Sequence, residues 1–163
     1  MKKRGVVGAF LALVWMVFCL SGCGGSKKLT SFEILGQKLA CHMDMEKVLA
    51  AFADEKYEYF ESISCAYNGL DKIYEYKNAG FTVYTYPKDD RDYVLEITVT
   101  SDKIRQLSGK LYNGMPMEET EKLFGTDYKL DGETRCYAVG DDLSINLLPE
   151  DGKLCEYTLS AAK

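Results

Sequence analysis

The chain has 163 residues, of which 28% are charged and only three are prolines, a composition typical of a folded protein and not of a disordered one. Its 25 acidic residues outnumber its 20 basic residues, and the formal net charge of −5 at pH 7 disfavours binding to nucleic acid. Because the chain has a single histidine and no glycine-rich elbow around a serine, we expect neither a catalytic set, nor a metal site, nor a cofactor.

The N-terminal segment predicts export. Basic residues at positions 2–4 precede an apolar run over positions 6–20, and small residues then lead to a cysteine, in the tetrapeptide Leu20-Ser21-Gly22-Cys23. This order is typical of a secretory signal peptide. The apolar run is shorter than the roughly 20 residues that a bilayer-spanning helix needs, although an uncleaved transmembrane anchor remains an alternative. A plain secreted protein would instead carry an A-x-A-like cleavage site.

The same tetrapeptide resembles the lipobox of bacterial lipoproteins. The resemblance implies that the Cys23 thiol receives a diacylglycerol, that cleavage occurs just before this residue, and that an N-linked acyl chain can follow. Two or three acyl chains hold a protein stably at a membrane, since each buried methylene contributes about 0.8 kcal/mol. We therefore expect a signal peptide over 1–22, a lipidated flexible tether over 23–30, and a lipid-anchored protein on the extracytoplasmic face of the cell membrane.

The body that would remain after cleavage carries 17 basic and 25 acidic residues, a formal net charge of −8. It has four cysteines, which outside the cytoplasm permit three disulfide connectivities, and the alternative is four buried free thiols. These residues are Cys41, Cys65, Cys136 and Cys155. None forms a C-x-x-C pair, and the single histidine, His42, adjoins only the first of them, so no zinc site is predicted.

Hydrophobic patterning predicts one strand, a helix and three strands in the first part of the body. The strand spans about 31–39, and the helix spans about 44–54 with Asp44 as its N-cap. Three strands follow near 72–77, 81–86 and 93–100, with polar turns between them. A second helix is predicted from Pro116 or Met117 to Phe124, ended by Gly125, and three more strands near 134–139, 142–148 and 153–160.

The two parts of the body match each other in sequence. Residues 43–52 align with 115–124 at an offset of 72, and the later strands align at offsets of 62 and 60. Chance similarity between two amphipathic patterns is the alternative to duplication, and the repeated order favours duplication. We therefore predict an α+β fold of tandem duplicated helix-on-antiparallel-sheet (αβββ) units over 31–101 and 102–163.

Two segments resemble known lipoproteins. Residues 114–125 (GMPMEETEKLFG) resemble the G-M-x-x-x-x-V-x-x-x-L-G helix of BamE/SmpA-type lipoproteins and of the tandem modules of β-lactamase-inhibitor protein. The match departs at Thr120, where valine is usual, and at Phe124, which is inserted before the glycine. Residues 64–76 (SCAYNGLDKIYEY) and the hairpin that follows are similar to uncharacterised lipoproteins of Firmicutes. These resemblances imply location and fold, and they carry no activity.

Candidate sites are few. A Cys65–His42 nucleophile pair has no supporting motif, and the acidic segment 89–92 lacks the spacing of a calcium loop. Tyrosine is the stronger signal, because eight of the chain's twelve tyrosines lie between positions 57 and 93. Four of them, on two neighbouring strands, could merge into one interaction surface: Tyr74, Tyr76, Tyr84 and Tyr86. The alternative is that these rings are strand formers buried under the helices.

The sequence therefore predicts a lipid-anchored binding or scaffold module of the cell envelope. It would bind an envelope protein through the open face of its sheet and the membrane through its anchor. A receptor for a small ligand or a glycan, using the groove between the two repeats, is the alternative. Neither catalysis nor nucleic-acid binding is expected, and the sequence leaves the oligomeric state open.

Overall fold

The computed structural model describes residues 29–162, which form ten β-strands and two α-helices. In chain order these are β1 (Phe32–Ile34), β2 (Gln37–Leu39), α1 (Met45–Ala51), β3 (Glu58–Ile63), β4 (Leu70–Tyr76), β5 (Phe81–Lys88), β6 (Arg91–Val99), α2 (Met117–Phe124), β7 (Lys129–Asp131), β8 (Thr134–Ala138), β9 (Leu143–Glu150) and β10 (Lys153–Ala161). The predicted signal peptide and Cys23 lie outside the described residues.

Eight strands form one antiparallel sheet in the order β3-β4-β5-β6-β10-β9-β8-β7, and β1 and β2 form a separate hairpin. Among residues 29–162, 49% lie in strands or isolated β-bridges and 11% lie in helices, so the described part of the molecule is mostly β. The predicted α+β fold of tandem αβββ units is therefore wrong. Strands β6 and β10 pair directly, with Val99 opposite Tyr157, so both halves of the chain contribute to a single sheet. Four strands, and not three, follow each helix.

Both helices are about two turns long. Helix α1 begins after Asp44, whose carboxylate accepts a hydrogen bond from the Glu46 amide at 3.0 Å, so the predicted N-cap is confirmed. Helix α2 begins after Pro116 and ends at Gly125, which has a φ of 86°. Within residues 29–162, neither helix is long and apolar enough to cross a membrane.

One face of the sheet forms the core. Cross-strand register aligns a row of buried side chains across six strands: Tyr74, Val83, Ile97, Leu159, Ile145 and Tyr137. Both helices pack on this face, with the Phe52 ring centroid 5.0 Å from that of Phe81 and the Phe124 centroid 5.4 Å from that of Tyr137. The β1–β2 hairpin packs there as well, since Phe32 meets Tyr157 edge-on at 5.3 Å. We call this the core face, and the opposite side of the sheet the open face.

The segment before each helix is held against a central strand by equivalent hydrogen bonds. The Val94 amide donates to the Met43 carbonyl at 2.9 Å, and the Leu154 amide donates to the Met115 carbonyl at 2.9 Å. The adjacent His42 amide also donates to the Val94 carbonyl at 2.7 Å, as the Gly114 amide does to the Leu154 carbonyl at 2.6 Å. This bond places His42 beside the end of β6, at the margin of the open face.

Candidate interaction face of the sheet

The open face carries side chains from every strand of the eight-stranded sheet. Since residues opposite each other on paired strands share a face, register aligns one row across it: Phe60, Ile73, Tyr84, Glu96, Ser160, Ser144 and Ala138. The neighbouring row contains small hydroxyl residues at the centre, where the hydroxyls of Thr98 and Thr158 lie 2.9 Å apart. The described helices and hairpin all pack on the core face, so no helix covers these rows, although Thr98, Thr158 and Ser160 at their centre are buried, at 7%, 9% and 7% exposure.

Register separates the four tyrosines that were predicted to form one surface. Tyr74 pairs with Val83 and Tyr76 with Phe81, so both side chains enter the core face, at 7% and 0% exposure. Tyr84 pairs with Ile73 and lies on the open face, half-buried. The four rings therefore do not share one exposed patch, and Tyr84 is the member that faces outward on the open face.

Tyr86 is the fourth tyrosine, and an aromatic cluster covers it. Alternation along β5 places Tyr86 on the same side as Tyr84, but it is only 9% exposed. Its ring lies 5.0 Å from that of Tyr67 and 5.9 Å from that of Tyr93, centroid to centroid. Burial raises the pKa of the Tyr86 hydroxyl, which forms a 3.0 Å hydrogen bond with Nδ1 of His42. This cluster closes one end of the open face.

Three carboxylates lie near the half-buried Tyr84. Burial is the main cause that raises the pKa of Tyr84, and the nearby negative charges of Glu156, Glu96 and Glu75 raise it further. Burial also raises the pKa of the Glu156 carboxyl itself. Tyr84 is therefore an aromatic ring amid three acidic side chains, an arrangement that favours contact with a cationic group.

The acidic character extends to the margin of the sheet. Asp71 lies on the open face of β4, and its Oδ1 atom is buried with no hydrogen-bond partner among the described residues. Lys77 neutralises part of the charge, since its Nζ lies 2.7 Å from Glu58 and 3.8 Å from Glu75. The carboxylates of Glu96 and Glu156 have no such ion pair among residues 29–162.

The single histidine is held by two partners. Its Nδ1 contacts the Tyr86 hydroxyl, and its Nε2 lies 2.9 Å from Oδ2 of Asp142. The four cysteines of residues 29–162 are free thiols, and Cys65 is exposed. Burial raises the pKa of the Cys41 thiol to about 12, so this thiol remains protonated at neutral pH and its Sγ donates to the Leu159 carbonyl. The two ring nitrogens of His42 thus contact Tyr86 and Asp142, and not the thiol of Cys65.

The acidic segment between β5 and β6 forms a tight hairpin turn. Asp89 and Asp90 both have positive φ, at 49° and 60°, as a two-residue hairpin turn requires. Arg91 then pairs with Asp44 at 2.8 Å and Asp92 pairs with Lys72 at 2.7 Å. Within residues 29–162, no group of three or more potential ligands is arranged to hold a metal ion. A surface cavity of about 500 Å³ lies beside this turn, in the first half of the chain.

The carboxylates around Tyr84 were not identified from the sequence. Glu75, Glu96 and Glu156 lie on three strands that are not all adjacent along the chain, and alternation assigns each of them only to the polar side of its own strand. The signal that unites them is the strand order, which places β5 and β6 between β4 and β10.

Comparison of the chain with protein-family models, with curated proteins and with solved structures found no match. The resemblances to BamE/SmpA-type and Firmicutes lipoproteins therefore remain predictions from the sequence.

Proposed function

We propose that this protein is an exported, lipid-anchored lipoprotein of the cell envelope, and that its open sheet face binds a partner protein with a basic surface. The observation that carries the proposal is the eight-stranded open face, with Tyr84 on its third strand, β5, among Glu75, Glu96 and Glu156. The anchor at Cys23 follows from the lipobox-like tetrapeptide, and it would keep this face near the membrane.

The dimensions of the open face suit a protein. Eight strands spaced about 4.8 Å apart make it roughly 34 Å wide, and its central strands of eight or nine residues are about 30 Å long. Since the outer strands are shorter, the face offers on the order of 800 Å², the area that each partner buries in a typical protein complex.

The charge of the open face selects the kind of partner. A basic protein surface would find three carboxylates around one aromatic ring, and Tyr84 could contact a lysine or arginine side chain while the carboxylates pair with it. An acidic partner would be repelled by these carboxylates and by the net negative charge of the body.

A receptor for a small ligand or a glycan in the groove between the halves is the weaker proposal. The two halves meet at the β6–β10 pair, where the backbone ladder is continuous and the Thr98 and Thr158 hydroxyls contact each other. The seam is thus filled by bonded strands and short side chains. Catalysis is not part of the proposal, since the contacts of His42 are structural ones to the adjoining aromatic cluster and to Asp142.

The lipid anchor can be tested with Cys23→Ala. We expect this variant either to be released from the detergent-phase fraction or to accumulate as an uncleaved precursor that keeps its apolar signal segment, because the thiol that carries the lipid is lost. Metabolic labelling with a radioactive or clickable fatty acid, followed by mass measurement of the N-terminus, checks both effects. Ser26→Ala, in the tether, serves as the control and should be processed normally. Unchanged processing and unchanged detergent partition of Cys23→Ala would exclude the lipobox.

The open face can be tested by site-specific photocrosslinking in intact cells. A photoreactive amino acid in place of Tyr84 should form a discrete protein adduct, and the same group in place of Glu118, an exposed residue of α2, should not. Adding Glu75→Lys and Glu96→Lys should weaken adduct formation at least about tenfold, since both carboxylates would become repulsive to a basic partner.

The charge-matched control carries Glu118→Lys and Glu119→Lys, which change the net charge equally on the helical side of the molecule. This control should retain the adduct formed from position 84. Adducts from position 118 alone, or full retention after reversal of the open-face charges, would contradict the proposed binding surface.

A further inference from the structure

Strand β3 forms one outer edge of the sheet and, apart from the charges of Glu58 and Glu61, lacks the usual features that protect an edge. All six of its residues are exposed, its pairing with β4 has no bulge, and it contains neither lysine nor proline. Such an edge presents a row of unpaired amide and carbonyl groups that can bond to another strand. The opposite edge differs, because β7 has only three residues and includes Lys129.

The side chains of this edge are unusually apolar. Phe60 is 50% exposed and Ile63 is 82% exposed, and Tyr57 and Tyr59 are exposed beside them. Tyr57 packs its other side on Tyr74 and Tyr76, with ring centroids 5.4 Å apart in both cases, so the exposed ring is fixed in place. Exposed apolar side chains along an open strand edge are typical of a surface that pairs with another chain.

The backbone direction of β3 defines which residues can bond outward. The Ser64 amide donates to the Gly69 carbonyl at 3.0 Å, and antiparallel pairing then directs the amides and carbonyls of residues 58, 60 and 62 towards β4. The amides and carbonyls of Tyr59, Glu61 and Ile63 point away from the sheet. Another strand must therefore pair with these odd-numbered residues.

We propose that β3 pairs antiparallel with β3 of a second copy of this chain, about a two-fold axis at Phe60. This register satisfies the outward bonding groups, since Tyr59 lies opposite Glu61 of the second copy and exchanges backbone hydrogen bonds with it. It also places compatible side chains of the two copies opposite each other, in the pairs Tyr57–Ile63, Glu58–Ser62, Tyr59–Glu61 and Phe60–Phe60.

Other two-fold registers fit less well. An axis at Glu61 would bring two glutamates directly opposite each other, which is destabilising. An axis at Ser62 would shift the strands so that Phe60 lies opposite Ser64 and Glu61 opposite Ile63. In the proposed register the Tyr59 hydroxyl, which already donates to the Glu61 carboxylate within one strand, can donate to that of the second copy instead.

The dimer would change the binding surface as well as the edge. Phe60 lies on the open face, so pairing at β3 would join the open faces of two copies into one sixteen-stranded surface with two phenylalanines at its centre. The pairing edge at β3 is separated from Tyr84 on β5 by strand β4, so the dimer does not depend on the proposed partner protein.

Disulfide trapping tests the register. The chain is used as exported and extracted in detergent, with Cys65→Ser to remove the exposed thiol. Phe60→Cys should give a covalent dimer on mild oxidation, because the Cα atoms of a non-hydrogen-bonded antiparallel pair lie about 4.5 Å apart, within the range of a disulfide. Ser62→Cys is the matched control and should not give a covalent dimer. In the proposed register Ser62 lies opposite Glu58 of the second copy, four residues away from Ser62 of that copy, so the two thiols would be more than 10 Å apart.

Sedimentation of the same preparation tests the pairing itself. The chain should sediment as a dimer, and Glu61→Pro should weaken the dimer at least about tenfold, because it removes an outward amide without breaking a bond to β4. Glu61→Gln keeps that amide and should remain dimeric, and thermal melting verifies that both variants fold.

A chain that sediments as a monomer at all concentrations up to about 100 μM would overturn the proposal. Equal trapping at positions 60 and 62 would overturn it as well. Reversal of the open-face charges at Glu75 and Glu96 should leave the dimer unchanged.

Discussion

Tyr157→Ala is expected to lower the free energy of unfolding by about 3–5 kcal/mol, which is a large part of the stability of a domain of this size. Tyr157 is 0% exposed in the middle of the sheet, and its ring meets that of Phe32 edge-on. Its hydroxyl also donates to the Ile104 carbonyl at 3.0 Å. Truncation would thus remove the contact of the β1–β2 hairpin with the sheet and leave a cavity.

Two variants separate the causes of this loss, measured by equilibrium unfolding in urea. Tyr157→Phe removes only the hydroxyl and should cost about 1 kcal/mol, the net contribution of one hydrogen bond. Tyr59→Ala, on the edge strand, should cost less than Tyr157→Ala because its ring is 43% exposed and packs on Tyr74 alone among the aromatic rings of residues 29–162. A loss for Tyr157→Ala no larger than that for Tyr59→Ala would contradict the packing of the hairpin on the core face.

Gly80→Ala is expected to lower the free energy of unfolding by about 2–4 kcal/mol, because two penalties combine. Gly80 has a φ of 79°, which costs a residue with a side chain roughly 1–2 kcal/mol. In addition, a Cβ atom there would lie 2.2 Å from Cβ of Ser101. The backbone has little freedom to move, since the Gly80 carbonyl accepts hydrogen bonds from the amides of both Thr100 and Ser101.

Gly152→Ala is the matched control, measured in the same urea experiment. Gly152 has a similar φ of 75°, but a Cβ atom there would have no heavy atom within 4 Å, so this variant should show the conformational penalty alone. Adding Ser101→Gly to Gly80→Ala should recover most of the difference between the two, since it removes the Cβ atom at 2.2 Å and leaves Cα of Ser101 at 3.2 Å. Equal losses for the two alanine variants would show that the turn accommodates the added methyl group.

Local features of the fold were predictable because they depend on neighbours in the sequence. Asp44 caps α1 and Gly125 ends α2, as their side chains and conformational preferences indicate. The turn at Gly36, by contrast, divides the single strand predicted over 31–39 into the β1–β2 hairpin. A two-strand hairpin with three residues on each side is too short for periodicity to reveal.

The edge strands escaped prediction for a different reason. Sequence patterning detects a strand through the contrast between its buried and exposed sides, and β3 has no buried residue at all. Its one tyrosine, Tyr59, belongs to the general enrichment of tyrosine between positions 57 and 93. The pairing of its six residues with β4 defines it as a strand, and this pairing is visible only in three dimensions.

The arrangement of the candidate site depended on register and strand order. Alternation correctly indicates that Tyr74 and Tyr76 share one side of β4 and that Tyr84 and Tyr86 share one side of β5. It does not indicate whether these sides coincide, because a shift of one residue reverses the face. The pairing of Tyr74 with Val83 resolves the question, and it turns the two pairs to opposite faces.

The pairing of β6 with β10 determines how the molecule unfolds. If one half of the sheet unfolded, β6 or β10 would become an unpaired edge strand of the other half. The row of buried side chains from Tyr74 to Tyr137 would then be divided between β6 and β10. If one half unfolded alone, the half that remained folded would expose buried apolar side chains of its central strand to water, which is unfavourable. The body should behave as one cooperative unit, whose central amides exchange with solvent only when the whole chain opens.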